Sequence, residues 1–214
     1  MMNYIKKSIF TTVLLVIAGT GVAFSLKAAV GVGAWDAFSQ ATSLATGIKV
    51  GTFSMFMNLS CVLLQFILLK KDFKPIAYLQ IGMAILLGVV VNFVFYDVLG
   101  NVVIQVYIVN LMMLIIALLV VIVAVALIMS IDFLSFPLEA ACLVVAQKTT
   151  ISFGKLRQLV DVFAIIGAIL LSIAFNNPIP VREGTFIGMA LFGPLVAKLM
   201  ESFKPFVRNL GFLD

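Results

Sequence analysis

Hydrophobic residues run along this chain in blocks too long for strands and too evenly apolar for the one-sided helices of a soluble domain. Six blocks approach the ~20 residues that a helix rising ~1.5 Å per residue needs to cross a hydrocarbon layer of roughly 30 Å. They cover residues 8–29, 51–69, 75–96, 102–131, 156–175 and 184–200. Each predicts a transmembrane helix. The first follows Lys6 and Lys7, as the core of a cleavable signal peptide would. Its apolar run continues well past Ala18 and five more blocks follow, which favours a retained span.

Two intervals are neither spans nor plain loops. Residues 31–50 read GVGAWDAFSQATSLATGIKV, and residues 132–153 read DFLSFPLEAACLVVAQKTTISF. Each holds an acid, Asp36 or Glu139, among apolar residues, and each carries helix breakers near its start, Gly31 and Gly33 or Pro137. Two arrangements fit. One is an amphipathic helix lying on the bilayer surface. The other is a half-helix dipping into the protein, where broken backbone lines a cavity.

Composition narrows the class. Of 214 residues, 64% are hydrophobic and 11% charged, whereas a soluble domain runs near half apolar and a quarter charged. One soluble core cannot hide that surplus, so lipid is the expected solvent for much of the surface. A soluble enzyme, a secreted disulfide scaffold and a disordered chain are excluded. There is no histidine, which removes Ser-His-Asp triads and histidine metal sites. Cys61 and Cys142 lie far apart without metal or disulfide spacing. No cofactor or metal is expected.

The basic residues set the topology. Lys6 and Lys7; Lys70, Lys71 and Lys74; Lys148, Lys155 and Arg157; and Lys198, Lys204 and Arg208 all fall on one side of a six-span chain. Lys27, Lys49 and Arg182 remain for the other. The positive-inside rule then puts both termini in the cytoplasm. It also accounts for the net charge of +5 without nucleic acid as a partner. The tail from residue 203 is short and basic and is expected to rest on the cytoplasmic surface.

The chain resembles itself at an offset of 103 residues. Gly51 falls on Gly154, Ile48 on Ile151, Thr46 on Thr149, Asp36 on Glu139, Ala37 on Ala140 and Asn58 on Asp161. The tetrapeptide IGMA recurs at 81–84 and 187–190, followed by Gly88 and by Gly193. Duplication predicts two three-helix repeats, residues 1–100 and 101–214, within one integral membrane domain. Because three spans is an odd number, the repeats are inverted, as in many transporters.

Polar groups in hydrocarbon are expensive, so their placement carries information. Ser54, Asn58, Cys61 and Gln65 lie on one face of the second span and must look inward or toward water. Interhelical hydrogen bonding explains them as well as a ligand does. Arg157 and Asp161, four apart, can pair on one helical face. Asp161 and its counterpart Asn58 are candidates to line a central site. Trp35 suits either a membrane interface or stacking on a ligand beside Asp36. Small residues, including Ala18 and Gly21, and Ala84 and Gly88, form packing seams, with Asn92 the polar exception. The fourth span is nearly all aliphatic and is assigned to lipid or a dimer face.

From Gly19 to Thr52 the chain resembles the YczE/YitT family of bacterial integral membrane proteins. Gly19 and Gly21, then Gly33, Trp35, Asp36, Thr46, Gly47, Gly51 and Thr52 carry the likeness, with Ala34 where that family has proline. In the second half Pro137 and Glu139, Arg157 and Asp161, Gly184-Thr185 and Gly193-Pro194 continue it. The resemblance implies a multi-pass protein of the bacterial cytoplasmic membrane and supplies no substrate.

The fold expected is therefore all-α: six transmembrane helices as two inverted repeats, each with an amphipathic or re-entrant segment after its first helix. The leading functional expectation is a small secondary transporter or solute-permeation protein for a small polar or cationic solute. Trp35, Asp36, Asn58, Asn92, Glu139, Arg157 and Asp161 are its candidate binding or gating residues. The alternative is a membrane subunit or scaffold for a larger complex, as a homodimer or beside a partner subunit; with no P-loop, any ATP coupling would come from that partner. An intramembrane enzyme using carboxylates ranks last, for want of a nucleophile–base arrangement. An alkaline phosphatase moiety fused after Lys71 is expected to be inactive in cells; high activity would overturn the topology.

Overall fold

In the computed structural model, which describes residues 2–212, the chain is helical and the described residues contain no strand. The helices are α1 (Met2–Ala28), α2 (Ala34–Thr46), α3 (Val50–Leu69), α4 (Leu79–Asn92), α5 (Tyr107–Ser130), α6 (Pro137–Lys148), α7 (Phe153–Ala174) and α8 (Glu183–Asn209). A 3₁₀ turn at Pro75–Tyr78 leads into α4 and a π turn at Phe93–Val98 leaves it. Six helices are long and apolar enough to cross a membrane: α1, α3, α4 with its flanking turns, α5, α7 and α8. The chain is a multi-pass membrane protein. The last span runs further than its apolar block. Residues 203–209 belong to α8, because neither Gly193-Pro194 nor Pro205 stops the helix; the basic tail is thus its final turns.

α1 and α5 form the centre and run antiparallel. At one end Leu14, Leu15 and Ala18 of α1 pack with Ile122, Val125, Ile128 and Ile131 at the far end of α5. At the other, Ala28 and Val30 pack with Leu114 and Leu118. The assignment of the fourth span largely to lipid or a dimer face fits one side of α5 only, where Met112, Ile115, Ile116, Leu119 and Val123 are exposed; the other side is a correction to it. Leu114, Ala117, Ile122, Ala124, Val125, Ala126 and Ile128 of α5 are buried, covered by α1 and α8. Aliphatic composition alone cannot separate a lipid-facing helix from a central one; the alanines are what allow close approach. α4 then packs on α1 and α8 on α5, α3 lies along α4, α2 against α7, and α6 against α3. The first part of α1 meets the stretch just past α8, with the rings of Phe10 and Phe212 5.2 Å apart. At the opposite end the Lys27 ammonium donates to the Gly100 carbonyl at 3.2 Å and the Arg182 guanidinium to the Ala29 carbonyl at 2.9 Å.

The 31–50 and 132–153 intervals each contain a short helix, α2 or α6, packed along a long one. Each is entered through a sharp break at matched positions, Ala29 with φ 54° and Asp132 with φ 49°, 103 residues apart. Other local details recur at the same spacing. The N–H of Ala37 donates to the Gly33 carbonyl and that of Ala140 to the Phe136 carbonyl. The Thr46 hydroxyl bonds back to Thr42 and accepts from the Ile48 N–H, as Thr149 does with Val145 and Ile151.

Both breaks are held by polar groups from distant segments. At the first, the Gly184 N–H donates to the Val30 carbonyl at 2.9 Å, and the Val32 N–H donates to the hydroxyl of Thr185 at 3.2 Å. Gly31 at φ 110° sits so close that a Cβ would come 2.7 Å from the Thr185 nitrogen. At the second, the buried amide of Gln65 donates to Gln80 at 2.9 Å and to the Pro137 carbonyl at 3.1 Å.

Close helix contact also predicts a stability pattern. A Cβ on Gly51 would meet the Gly88 carbonyl oxygen and, at 2.8 Å, the Asn92 Oδ1, whereas Gly82 faces open space. Gly51→Ala is expected to destabilise by about 1–3 kcal/mol through overpacking. Gly82→Ala should stabilise by roughly 0.5–1 kcal/mol, because alanine restricts the unfolded chain and favours helix. Unfolding midpoints of the purified variants in one detergent check both signs.

Candidate functional site

The short helices α2 and α6 begin beside one another across a cavity of about 410 Å³. Each puts its acid in its first turn, Asp36 on α2 and Glu139 on α6. A carboxylate there is stabilised by the unpaired backbone N–H groups of the helix start. Local energetics thus explain why an acid is tolerated at these positions. They do not explain why both acids open onto one space.

α7 brings the third acid and the only guanidinium of the lining. Arg157 and Asp161 face the cavity with Asp36, Glu139 and Gln158. Arg157 pairs with Asp161 one turn on, and its Nε lies 3.5 Å from a Glu139 oxygen. One guanidinium therefore ties α6 to α7, using the several donors that a lysine would lack. The Asp36 carboxylate has no hydrogen bond or ion pair among the described residues. Three carboxylates against one guanidinium leave the cavity acidic.

α3 supplies Asn58 and Ser54, both buried. The polar face of the second span indeed turns inward: Ser54, Asn58, Cys61 and Gln65 are all buried. Asn58 Nδ2 donates to the Ser54 carbonyl at 2.9 Å, which leaves its carbonyl oxygen available to the cavity. Trp35 packs with Cys61, Leu138 and Cys142 inside the bundle. Its indole N–H is buried and has no hydrogen-bond partner.

Six of the seven candidates, Trp35, Asp36, Asn58, Glu139, Arg157 and Asp161, line this one cavity. Asn92 does not. Its Oδ1 accepts the Gly51 N–H at 2.8 Å and its Nδ2 donates to the Thr52 hydroxyl at 2.8 Å, tying α4 to α3. A larger open cleft of about 590 Å³ near Asp72, Lys74, Asp132 and Lys148 gathers none of the seven. Sequence reasoning missed Gln158 and the aliphatic wall from α5, Leu118, Val121 and Val125. Gln158 adjoins Arg157, which was a usable signal; the wall carries none, because its chemistry equals that of lipid-facing residues.

Residues 5–201 match the model of a family of unknown function, DUF6198, and the chain belongs to that family. The match does not carry the YczE/YitT name. No curated protein and no solved structure matches the chain.

The shared guanidinium makes a measurable claim. Arg157→Gln leaves Glu139 and Asp161 facing each other without a cation. The three side chains are 13% to 22% exposed, so the loss is expected near the low end for a broken buried pair, on the order of 3 kcal/mol. Adding Glu139→Gln and Asp161→Asn to that variant should restore most of the thermal stability. Equal stability of wild type and Arg157→Gln would show that the pairs contribute nothing.

Proposed function

We propose that the protein is a small secondary transporter or solute-permeation protein of the bacterial cytoplasmic membrane, built from two inverted three-span repeats with both termini inside. Its solute is small and polar or cationic. The observation that carries this reading is the acidic cavity where two interrupted segments begin, with the Asp36 carboxylate left unpaired. Interrupted helices meeting across an internal space are the usual form of a transporter's binding site, because only there is irregular backbone tolerated at membrane depth.

Several features support the inverted arrangement. α1 and α5 run antiparallel. Val50 at the start of α3 shares a cluster with Ala168 and Leu171 in the later half of α7, so those two run in opposite directions as well. The helix breaks recur 103 residues apart. The resemblance to YczE/YitT proteins agrees with this placement. Solute selectivity follows from charge. A monocation entering the cavity meets Asp36 without first breaking an ion pair, whereas an anion meets three carboxylates and one guanidinium that is already engaged.

The test uses purified protein and the probes methylammonium, guanidinium and choline, each beside an uncharged molecule of similar shape. At a hundredfold excess over Kd a bound cation stabilises by about 2.7 kcal/mol, visible as a raised unfolding midpoint. Asp36→Asn should remove that rise. Asp161→Asn and Glu139→Gln should abolish uptake of the same cation into proteoliposomes while the proteins remain folded. Uptake unchanged in all three variants would overturn the site.

A further inference from the structure

The two halves pack alike except at one seam. In the first half α3 lies along α4 with Gly51 and Gly88 buried against each other; a Cβ on either would collide with the other's carbonyl oxygen. Asn92 closes this seam with its two hydrogen bonds to Gly51 and Thr52. In the second half the counterparts are Gly154 on α7 and Gly193 with Pro194 on α8. Here both glycines are exposed, and a Cβ on either would find nothing within 4 Å. α7 and α8 share no interface comparable to that of α3 and α4 among the described residues. Gly154, Gln158, Gly193 and Pro194 all line the acidic cavity and are exposed. The cavity is thus walled off along α3–α4 and reaches the surface between α7 and α8.

The open seam also contains a place to bend. Pro194 has no N–H for the Ala190 carbonyl, and Gly193 beside it adds freedom within α8. Gly154 lies in the first turn of α7, just beyond the α6–α7 connection.

We infer that the α7–α8 seam is an access gate standing open, which closes by seating Gly154 on Gly193 as Gly51 seats on Gly88, while the α3–α4 seam parts in exchange. This deepens the transporter reading above and rests on its inverted repeats. With the Gly154 end at the cytoplasm, the structure is the inward-open form. Its counterpart exposes Asp36, Glu139 and Asp161 to the other side through the space now filled by Gly88 and Asn92.

The experiment reads accessibility rather than transport. Cys61 and Cys142 are buried and are replaced by alanine. Gly154→Cys or Thr52→Cys is then introduced singly, and labelling by a membrane-impermeant maleimide is followed in right-side-out and inside-out vesicles. Gly154→Cys is expected to label from the cytoplasmic side only. Thr52→Cys should label at least about tenfold more slowly from the outside, since the alternate state of a two-state protein is the minor one. Next, Gly154→Cys and Gly193→Cys are combined with Thr52→Cys and the seam is cross-linked with a short bis-maleimide. Closure should raise outside labelling of Thr52→Cys about tenfold or more. A seam that never cross-links, or one that cross-links with labelling of Thr52→Cys unchanged, overturns the gate. As a check on folding, the same triple variant before cross-linking should elute as the parent does. Because no solute is added, the gate can fail while the cation site holds, and the cation site can fail while the gate holds.

Discussion

A peptide bond cannot be left unpaired in hydrocarbon, and this protein interrupts its helices twice. Each backbone hydrogen bond lost where water cannot replace it costs several kcal/mol, and the breaks after α1 and α5 are held by other polar groups. Gly184, Thr185 and Arg182 serve the first, and Gln65 with Gln80 the second. These partners come from far along the chain. Span order, the close seat of α8's first turn on Gly31, and two amides buried in apolar helices all follow from that need. The breaks in turn allow α2 and α6 to start inside the bundle, so their first turns, with Asp36 and Glu139, open onto a shared space.

Charge in that space is divided unequally. Arg157 engages two of the three acids, and those contacts fix α6 relative to α7. An arrangement serving stability alone would match charges, since an unpaired carboxylate in a low-dielectric setting is destabilising. Asp36 is left over, beside an indole N–H that also lacks a partner. The local benefit of an acid in a helix's first turn is about 0.3–1 kcal/mol at exposed sites, too little to justify both residues facing one shared cavity. On the proposed reading, recognition of a cation accounts for the remainder.

Much of this was legible in the chain, and for identifiable reasons. Span number and approximate bounds follow from hydropathy, because the bilayer imposes a length that composition must satisfy. The pairing of Arg157 with Asp161 follows from helical spacing. Gathering Asp36, Asn58, Glu139 and Asp161 followed from the 103-residue offset, which pairs Asp36 with Glu139 and Asn58 with Asp161. What stayed hidden was contact between apolar surfaces. The buried face of α5 was missed because leucine against lipid and leucine against α1 look identical in sequence. Gln80 was overlooked because its partner Gln65 is fifteen residues away across a turn, with no helical period linking them. Asn92 was grouped with the cavity residues because polarity marks a residue as inward-facing without saying what it meets.

The contrast between the seams bears on why glycines stand where they do. Glycine within a helix is roughly 0.5–1 kcal/mol less favourable than alanine, and proline removes a hydrogen bond as well. At Gly51 and Gly88 the loss is offset by backbone contact that no larger residue permits. At Gly193, in mid-helix and followed by Pro194, this conformation offers no contact in return. A static bundle would gain stability by filling that position, and alanine would fit without a clash. The residue makes energetic sense if the chain spends part of its time in a second packing, in which Gly193 meets Gly154 and Gly88 is the one left open. On that view the free energy withheld at one seam is the counterpart of that gained at the other, and two alternating states, one of them minor, follow from one duplicated design.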